Sequence, residues 1–182
     1  MYEHIMKSSY TAFAGVEQIA KGSLEDVTQA AKAAYDAGRA RLLIFDDFTG
    51  RQVDLDLRAS EVPSRPRARG RPRLGVTARE VTLLPRHWEW LSEQPGGASA
   101  ALRRLVDQAQ NSTPALAEKN RAAIYRIMLA LAGDLPRYEQ ANRALFSNDL
   151  ATAEAIATTW PSDISGYICD QIHRLRSISK AL

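Results

Sequence analysis

The stretch ASEVPSRPRARGRPR at residues 59–73 constrains this chain more than any other feature. Pro63, Pro66 and Pro72 each lack an amide hydrogen and fix φ, so no regular helix runs through it. Arg65, Arg67, Arg69, Arg71 and Arg73 occupy every second position among them. Proline and like charge together favour an extended linker or arm. The 182 residues must therefore fold on its two sides. They suffice for one compact domain or for two or three small modules. The pattern reads as an α+β protein in four parts. These are a small N-terminal α/β module at 1–59, the arginine-rich arm at 60–73, a central unit at 74–112 and a C-terminal helical bundle at 113–182.

The formal charge is only +3, but it is unevenly placed. Residues 1–59 carry seven basic and nine acidic side chains, residues 60–113 nine and five, and residues 114–182 eight and seven. The excess that a polyanion would feel sits in the middle. With 45% apolar and 25% charged residues the chain can build a real core. Cys169 is its single cysteine, so no internal disulfide forms and a reducing compartment is expected. No run approaches the roughly 18 apolar residues that span a bilayer. The opening MYEHIMKSSY lacks an apolar signal core. A cytoplasmic protein without membrane partners is the expectation.

Local patterns assign the flanks. Residues 10–19 alternate imperfectly, as a strand would, and Lys21-Gly22 reads as a turn. Ser23 with Asp26 three residues on is a capping box in weak form, ahead of Leu24, Val27, Ala31 and Ala34 at helical spacing. Gly38 reads as the stop. The run 41–45 reads as a strand, Thr49-Gly50 as a tight connection, and Val53, Leu55 and Leu57 alternating with Asp54, Asp56 and Arg58 as a further strand. Beyond Pro114, four amphipathic stretches are expected near 114–132, 136–146, 150–159 and 161–177, which should pack as a bundle.

Within the centre, residues 74–84 are rich in Val, Thr and Leu and read as one strand. Pro85 suits the start of a short helix with Trp88 and Leu91 on its buried stripe. Pro95-Gly96-Gly97 breaks it, and Ser99 is the expected cap of a second helix with Leu102, Leu105, Val106 and Ala109 along its apolar face. This order resembles the ribbon-helix-helix module of bacterial DNA-binding proteins, through Val81 to Leu84 with Pro85, Trp88, Leu91, Gly97 and Ser99. The resemblance implies a homodimer, or a higher even oligomer. Its copies would pair their strands into a ribbon that enters the major groove of double-stranded DNA. Strand phase stays open. One phase sends Arg79, Val81 and Leu83 to the bases. The other, preferred on burial grounds, buries Val81 and Leu83 and presents Glu80, Thr82 and Leu84. The start of the second helix at Gly97 and Ser99 would hold a phosphate, with Arg103 and Arg104 one turn on. In the arm, Arg69-Gly70-Arg71-Pro72-Arg73 contains an Arg-Gly-Arg-Pro core of the kind that enters the minor groove. A solubilising linker, or an arm for RNA, is the competing reading of the same arginines.

Almost the whole chain also resembles a bacterial family, domain of unknown function 2239. The resemblance rests on Phe45-Asp46-Asp47 with Thr49-Gly50, Asp54-Leu55-Asp56-Leu57-Arg58, Gly70-Arg71-Pro72 through Leu105, Ala132-Gly133-Asp134-Leu135-Pro136, and Trp160-Pro161. It implies module boundaries and no mechanism.

No enzyme and no cofactor are expected. Asp46, Asp47, Asp54 and Asp56 form the best catalytic lure, since carboxylates converging across a hairpin hold Mg²⁺ in nucleases. Alternating aspartates on a wet strand face are the simpler account. Cys169 reads as a helix-buried thiol, with His173 at i+4 its nearest base. His4, His87 and His173 fit no zinc spacing. Function is therefore expected to be DNA binding, as a transcriptional regulator or antitoxin-like protein, with the flanks open to a protein or small-molecule effector. A helical interaction or scaffold protein is the alternative, and a Mg²⁺-dependent nuclease ranks below both.

Overall fold

A computed structural model describes residues 9–55 and 77–180. The arm, including Arg65, Arg67, Arg69, Arg71 and Arg73, lies outside the described residues, as do Asp56 and Leu57. The fold is α+β. Three strands, β1 (Tyr10–Ala14), β2 (Glu17–Gly22) and β3 (Leu42–Asp46), form an antiparallel sheet in the order β2-β1-β3. Helix α1 (Leu24–Asp36) lies between β2 and β3 in the chain. Then come α2 (Pro85–Ser92), α3 (Gly97–Gln110), α4 (Thr113–Ala132), α5 (Tyr138–Phe146), α6 (Leu150–Ala157) and α7 (Ser162–Ser179).

The segment expected as one strand at 10–19 is a hairpin. Ala14 pairs with Glu17, so the chain reverses at Gly15-Val16, where Gly15 adopts φ +65°. Glycine takes this left-handed conformation without a Cβ clash, which the alternation of its neighbours masks in sequence. Lys21-Gly22 closes β2 instead of forming the turn. The capping box is present: Ser23 Oγ accepts from the Asp26 amide and Asp26 Oδ2 accepts from the Ser23 amide, each at 3.2 Å. The Ser23 hydroxyl, donating to Asp26 Oδ2 at 2.6 Å, and then the Ser23 amide hold the Asp26 carboxyl below the usual carboxylate range. After α1, Gly38 at φ +75° turns the chain, as a helix stop should.

The expected strand through Val53, Leu55 and Leu57 does not form in its described part. Only Phe45 and Gln52 make an isolated bridge, with Val53 donating its amide to the Ile44 carbonyl at 2.8 Å. Val53 and Leu55 instead pack as half-buried side chains beside α1. Thr49-Gly50 is the tight connection. Asp46 Oδ1 accepts from the Phe48 and Thr49 amides, both at 2.9 Å. Gly50, at φ +65°, presses so closely on α4 that a Cβ there would lie 2.3 Å from the Ala123 carbonyl oxygen.

Strand alternation sorts the sheet into two faces. Ala12 and Ile44 meet Val27 and Ala31 of α1. Phe13 and Phe45 turn the other way, into the main core with Ile124, Ile127 and Met128 of α4 and Tyr167, Ile168 and Ile172 of α7. The sheet and the four C-terminal helices thus share one core. Trp160, ahead of Pro161, is buried and donates its indole N–H to the Pro136 carbonyl at 2.9 Å. Among the described residues, 9–55 and 113–180 make one compact unit, and 77–112 make a second.

Candidate nucleic-acid interface

The second unit contains the described residues expected to meet DNA. Residues 77–84 form no strand within the chain. A lone segment has no ladder partner there, and a ribbon needs a second copy. Arg79 and Thr82 are exposed in this segment, Leu83 is half-buried, and Val81, placed inward by the preferred phase, is 53% exposed. Pro85 is the first residue of α2, where its missing amide hydrogen removes nothing the helix needs. Leu91 is buried, as its stripe predicts. Trp88, expected beside it, is 42% exposed, because a helix of 8 residues and its one neighbour offer too little surface to cover an indole.

Helix α3 enters by a route the sequence reading missed. Gly96, at φ +84°, is its N-cap, with Gly97 following at φ +74°. Ser99 is therefore the third helical residue, not the cap, and its side chain makes no cap bond. Two glycines reach the left-handed region cheaply, so no capping side chain is needed to turn the chain. Gly97 donates its amide to the Gln94 carbonyl at 2.9 Å, so this first-turn donor already has a partner. Arg104 Nη1 donates to the Pro95 carbonyl at 2.9 Å, tying the helix to its own entry loop. That leaves Arg103, exposed one turn from Gly97 and Ser99, as the outward arginine of the pair. Ala101 packs inward. Leu105 and Val106, expected on a covered face, are exposed at 42% and 49%.

Charge is divided in the same uneven way. Residues 77–112 carry four basic and four acidic side chains, so the positive excess of the centre belongs to the arm that precedes them. The described helices contribute shape and apolar surface, and the arm contributes charge.

Asp46, Asp47 and Asp54, the described members of the aspartate cluster, have separate roles. Asp46 caps the Thr49 turn, Asp54 is exposed, and Asp47 is buried, accepting from the Tyr167 hydroxyl at 2.7 Å through Oδ1. Burial first, and then the Asp47 charge, push the Tyr167 phenol well above its usual range. Arg174 Nη1 donates to the Asp47 carbonyl at 3.1 Å, so this aspartate is part of the joint between sheet and α7. Among the described residues, no group of three or more histidine, cysteine, aspartate or glutamate side chains is placed to hold a metal ion. Cys169 is half-buried, and burial raises its thiol pKa, which works against a nucleophile. His173 turns its Nε2 to Glu154 Oε1 at 2.6 Å. No helix among the described residues is long and apolar enough to cross a membrane.

Over residues 9–171 the chain matches the family model described as an uncharacterized protein conserved in bacteria, domain of unknown function 2239. No curated protein and no solved structure matches it. The chain belongs to that bacterial family, which spans both units and the arm between them.

Proposed function

We propose that the protein binds double-stranded DNA as a homodimer or higher even oligomer, in the manner of a transcriptional regulator or antitoxin. In this reading the 74–112 unit is the dimerising element, and the arm, the Gly97–Ser99 turn and Arg103 contact phosphate. Thr82 faces the groove in the preferred strand phase, and Arg79 faces it in the other.

One observation carries this reading. Val81, Leu84, Trp88, Trp90, Leu105 and Val106 are all exposed in a unit of two short helices that adjoins the arginine arm. Fully burying a large apolar side chain is worth about 1.5–3 kcal/mol. Six of them left in water are a strong drive to cover them, and a second copy supplies the same apolar set in a symmetric contact. The arms of two copies would then act together on one polyanion. The electrical neutrality of 77–112 favours a second reading, an interaction or scaffold protein in which these exposed side chains meet a protein and the arm meets no nucleic acid.

Binding to random duplex DNA at several salt concentrations separates the two. The DNA reading expects log K to fall with log salt by about 0.9 per phosphate contacted. The slope should flatten when Arg67, Arg69, Arg71 and Arg73 are all changed to alanine. Absence of binding, or an unchanged slope in the variant, overturns it. Sedimentation tests the pairing separately, since a monomer at tens of micromolar would remove the ribbon.

A further inference from the structure

We infer that the larger unit carries a binding site for a small organic anion, a carboxylate with an apolar body, in the cleft between the Thr49-Gly50 turn and α4. The cleft has a volume of about 440 Å³ and is lined by Gly50, Arg51, Gln52, Arg126, Leu129 and Ala130. Two of the six lining residues are arginines and none is acidic. A guanidinium presents a rigid fork of donors that matches a carboxylate in two parallel bonds.

Arg126 of the lining, and Arg41 beside it, are held in place by neutral partners, which orients them without cancelling their charge. Arg126 Nη1 donates to the Thr49 carbonyl at 2.8 Å. Arg41 Nη2 donates to the carbonyl of Ala130, one of the lining residues, at 3.1 Å. Among the described residues, Arg41, Arg51 and Arg126 form no ion pair, whereas Arg39, Arg121 and Arg176 each do. Of the carboxylates that lead into the turn, Asp46 accepts from the Phe48 and Thr49 amides through Oδ1, and Asp47 accepts from the Tyr167 hydroxyl.

The backbone around the cleft is rigid where it needs to be. Gly50 is locked against α4, since even a methyl group would collide with Ala123. Arg41 sits at φ +53°, a left-handed conformation that costs a non-glycine residue roughly 1 kcal/mol or more. That conformation belongs to the residue whose side chain reaches the Ala130 carbonyl beside the cleft. Leu129, 52% exposed on α4, supplies apolar floor beside the charge. A bare inorganic anion would leave that floor unused, whereas an alkyl or aryl carboxylate covers it. The second cleft of the same unit, about 390 Å³ between β2 and α7, lacks this imbalance. Its Lys21 pairs with Asp170 at 3.5 Å, and its Asp163 accepts from the Gln18 amide at 2.9 Å.

Titration of the full chain with benzoate, followed by amide NMR, tests the site. Benzoate should give saturable shifts at Gly50, Arg51, Gln52 and Arg126. Arg51→Gln should weaken binding by about tenfold or more, as loss of a charge-assisted bond pair does. Its unfolding midpoint should stay put, which guards against the looser turn that Arg126→Gln risks. Leu129→Ser should weaken benzoate and leave any phosphate response alone. The inference is overturned if benzoate produces no saturable shift at these amides. Equal binding of neutral benzamide, equal binding of inorganic phosphate, or an unaltered affinity in Arg51→Gln overturns it too. None of these outcomes depends on DNA binding, so this inference and the proposed function stand or fall separately.

Discussion

The two units of this chain solve the burial problem in opposite ways. In the larger one, a three-stranded sheet has apolar helices on both faces, and Phe13, Phe45, Ile124, Ile168 and Ile172 are fully buried. In the smaller one, Leu91 and Ala101 are the apolar side chains that reach full burial among the described residues, while two tryptophans stay half in water. What differs is the reach of the contacts: the larger unit joins residue 13 to residue 167, whereas α2 and α3 have neighbours only a few residues away. A sheet with two covered faces closes on itself, and a pair of short helices does not.

The largest expected effect contrasts one aromatic from each unit. Phe45→Ala removes a fully buried ring that lies 6.3 Å from Tyr167, centroid to centroid. It should cost about 3–5 kcal/mol in urea unfolding. Trp88→Ala should leave the stability of the larger unit within about 0.5 kcal/mol, as surface changes usually do. Its effect should appear in the monomer–dimer equilibrium, measured by sedimentation. Equal losses of stability from both variants would erase the contrast. An unchanged association constant in Trp88→Ala would keep the contrast but remove the dimer from the smaller unit.

An intermediate effect concerns the polar joint of the larger unit. Asp47→Ala takes away the acceptor of the Tyr167 hydroxyl, leaving a buried donor without its partner. Such an orphan costs about 1–3 kcal/mol. Asp47→Asn retains an oxygen at that place and should cost less. Tyr167→Phe in the Asp47→Ala background should recover part of the loss, because it removes the stranded hydroxyl. No recovery in that double variant would mean that the loss comes from the space left by the Asp47 side chain, since the Arg174 contact to the backbone carbonyl persists in every variant.

The same contrast governs what could be read before the structure. Helical stripes survive as periodicity, so the four stretches expected beyond Pro114 are α4 to α7, with Ile124, Ile127, Met128 and Leu131 buried along α4 and Ile164, Ile168, Ile172 and Leu175 along α7. Ser23 and Asp26 form their box three residues apart, within reach of local inspection. The Gly15 reversal was hidden because a lone glycine, with no second turn residue beside it, leaves the imperfect alternation of 10–19 readable as one strand. The isolated bridge at Gln52 was overread as a strand, because alternating Val53 and Leu55 look the same whether they join a ladder or only lean on α1. Of the candidate interface, Pro85 and the breaker at Pro95 to Gly97 were legible, but the exposure of Trp88 was not. Periodicity marks which side of a helix is apolar, and it does not say whether the same chain covers that side. The Arg51–Arg126 cleft had no local signal at all, since a turn and a helix far apart in the chain build it.

The smallest expected effect is electrostatic and belongs to the larger unit. Glu154 on α6 accepts from Arg176 of α7 through Oε2 at 2.7 Å and meets His173 through Oε1 at 2.6 Å. The Arg176 bond, followed by the His173 contacts, holds its carboxyl below the usual range, while partial burial opposes the shift. A carboxylate whose folded pKa is depressed binds a proton more weakly in the native state than in the unfolded one. Its stabilising share is therefore complete above the ordinary glutamate value of about 4.3. That share disappears as pH falls through the lower, folded value. Glu154→Gln should accordingly reduce stability at neutral pH and converge with the wild type under acid conditions. The pair is partly exposed, which limits the whole effect to about 1 kcal/mol or less. Urea midpoints of the two proteins across pH measure it directly. A difference that persists undiminished at pH 2 would mean that Glu154 acts by packing α6 on α7, not by charge. The same substitution should leave the association of the smaller unit untouched, because Glu154 and its partners all lie in the larger one.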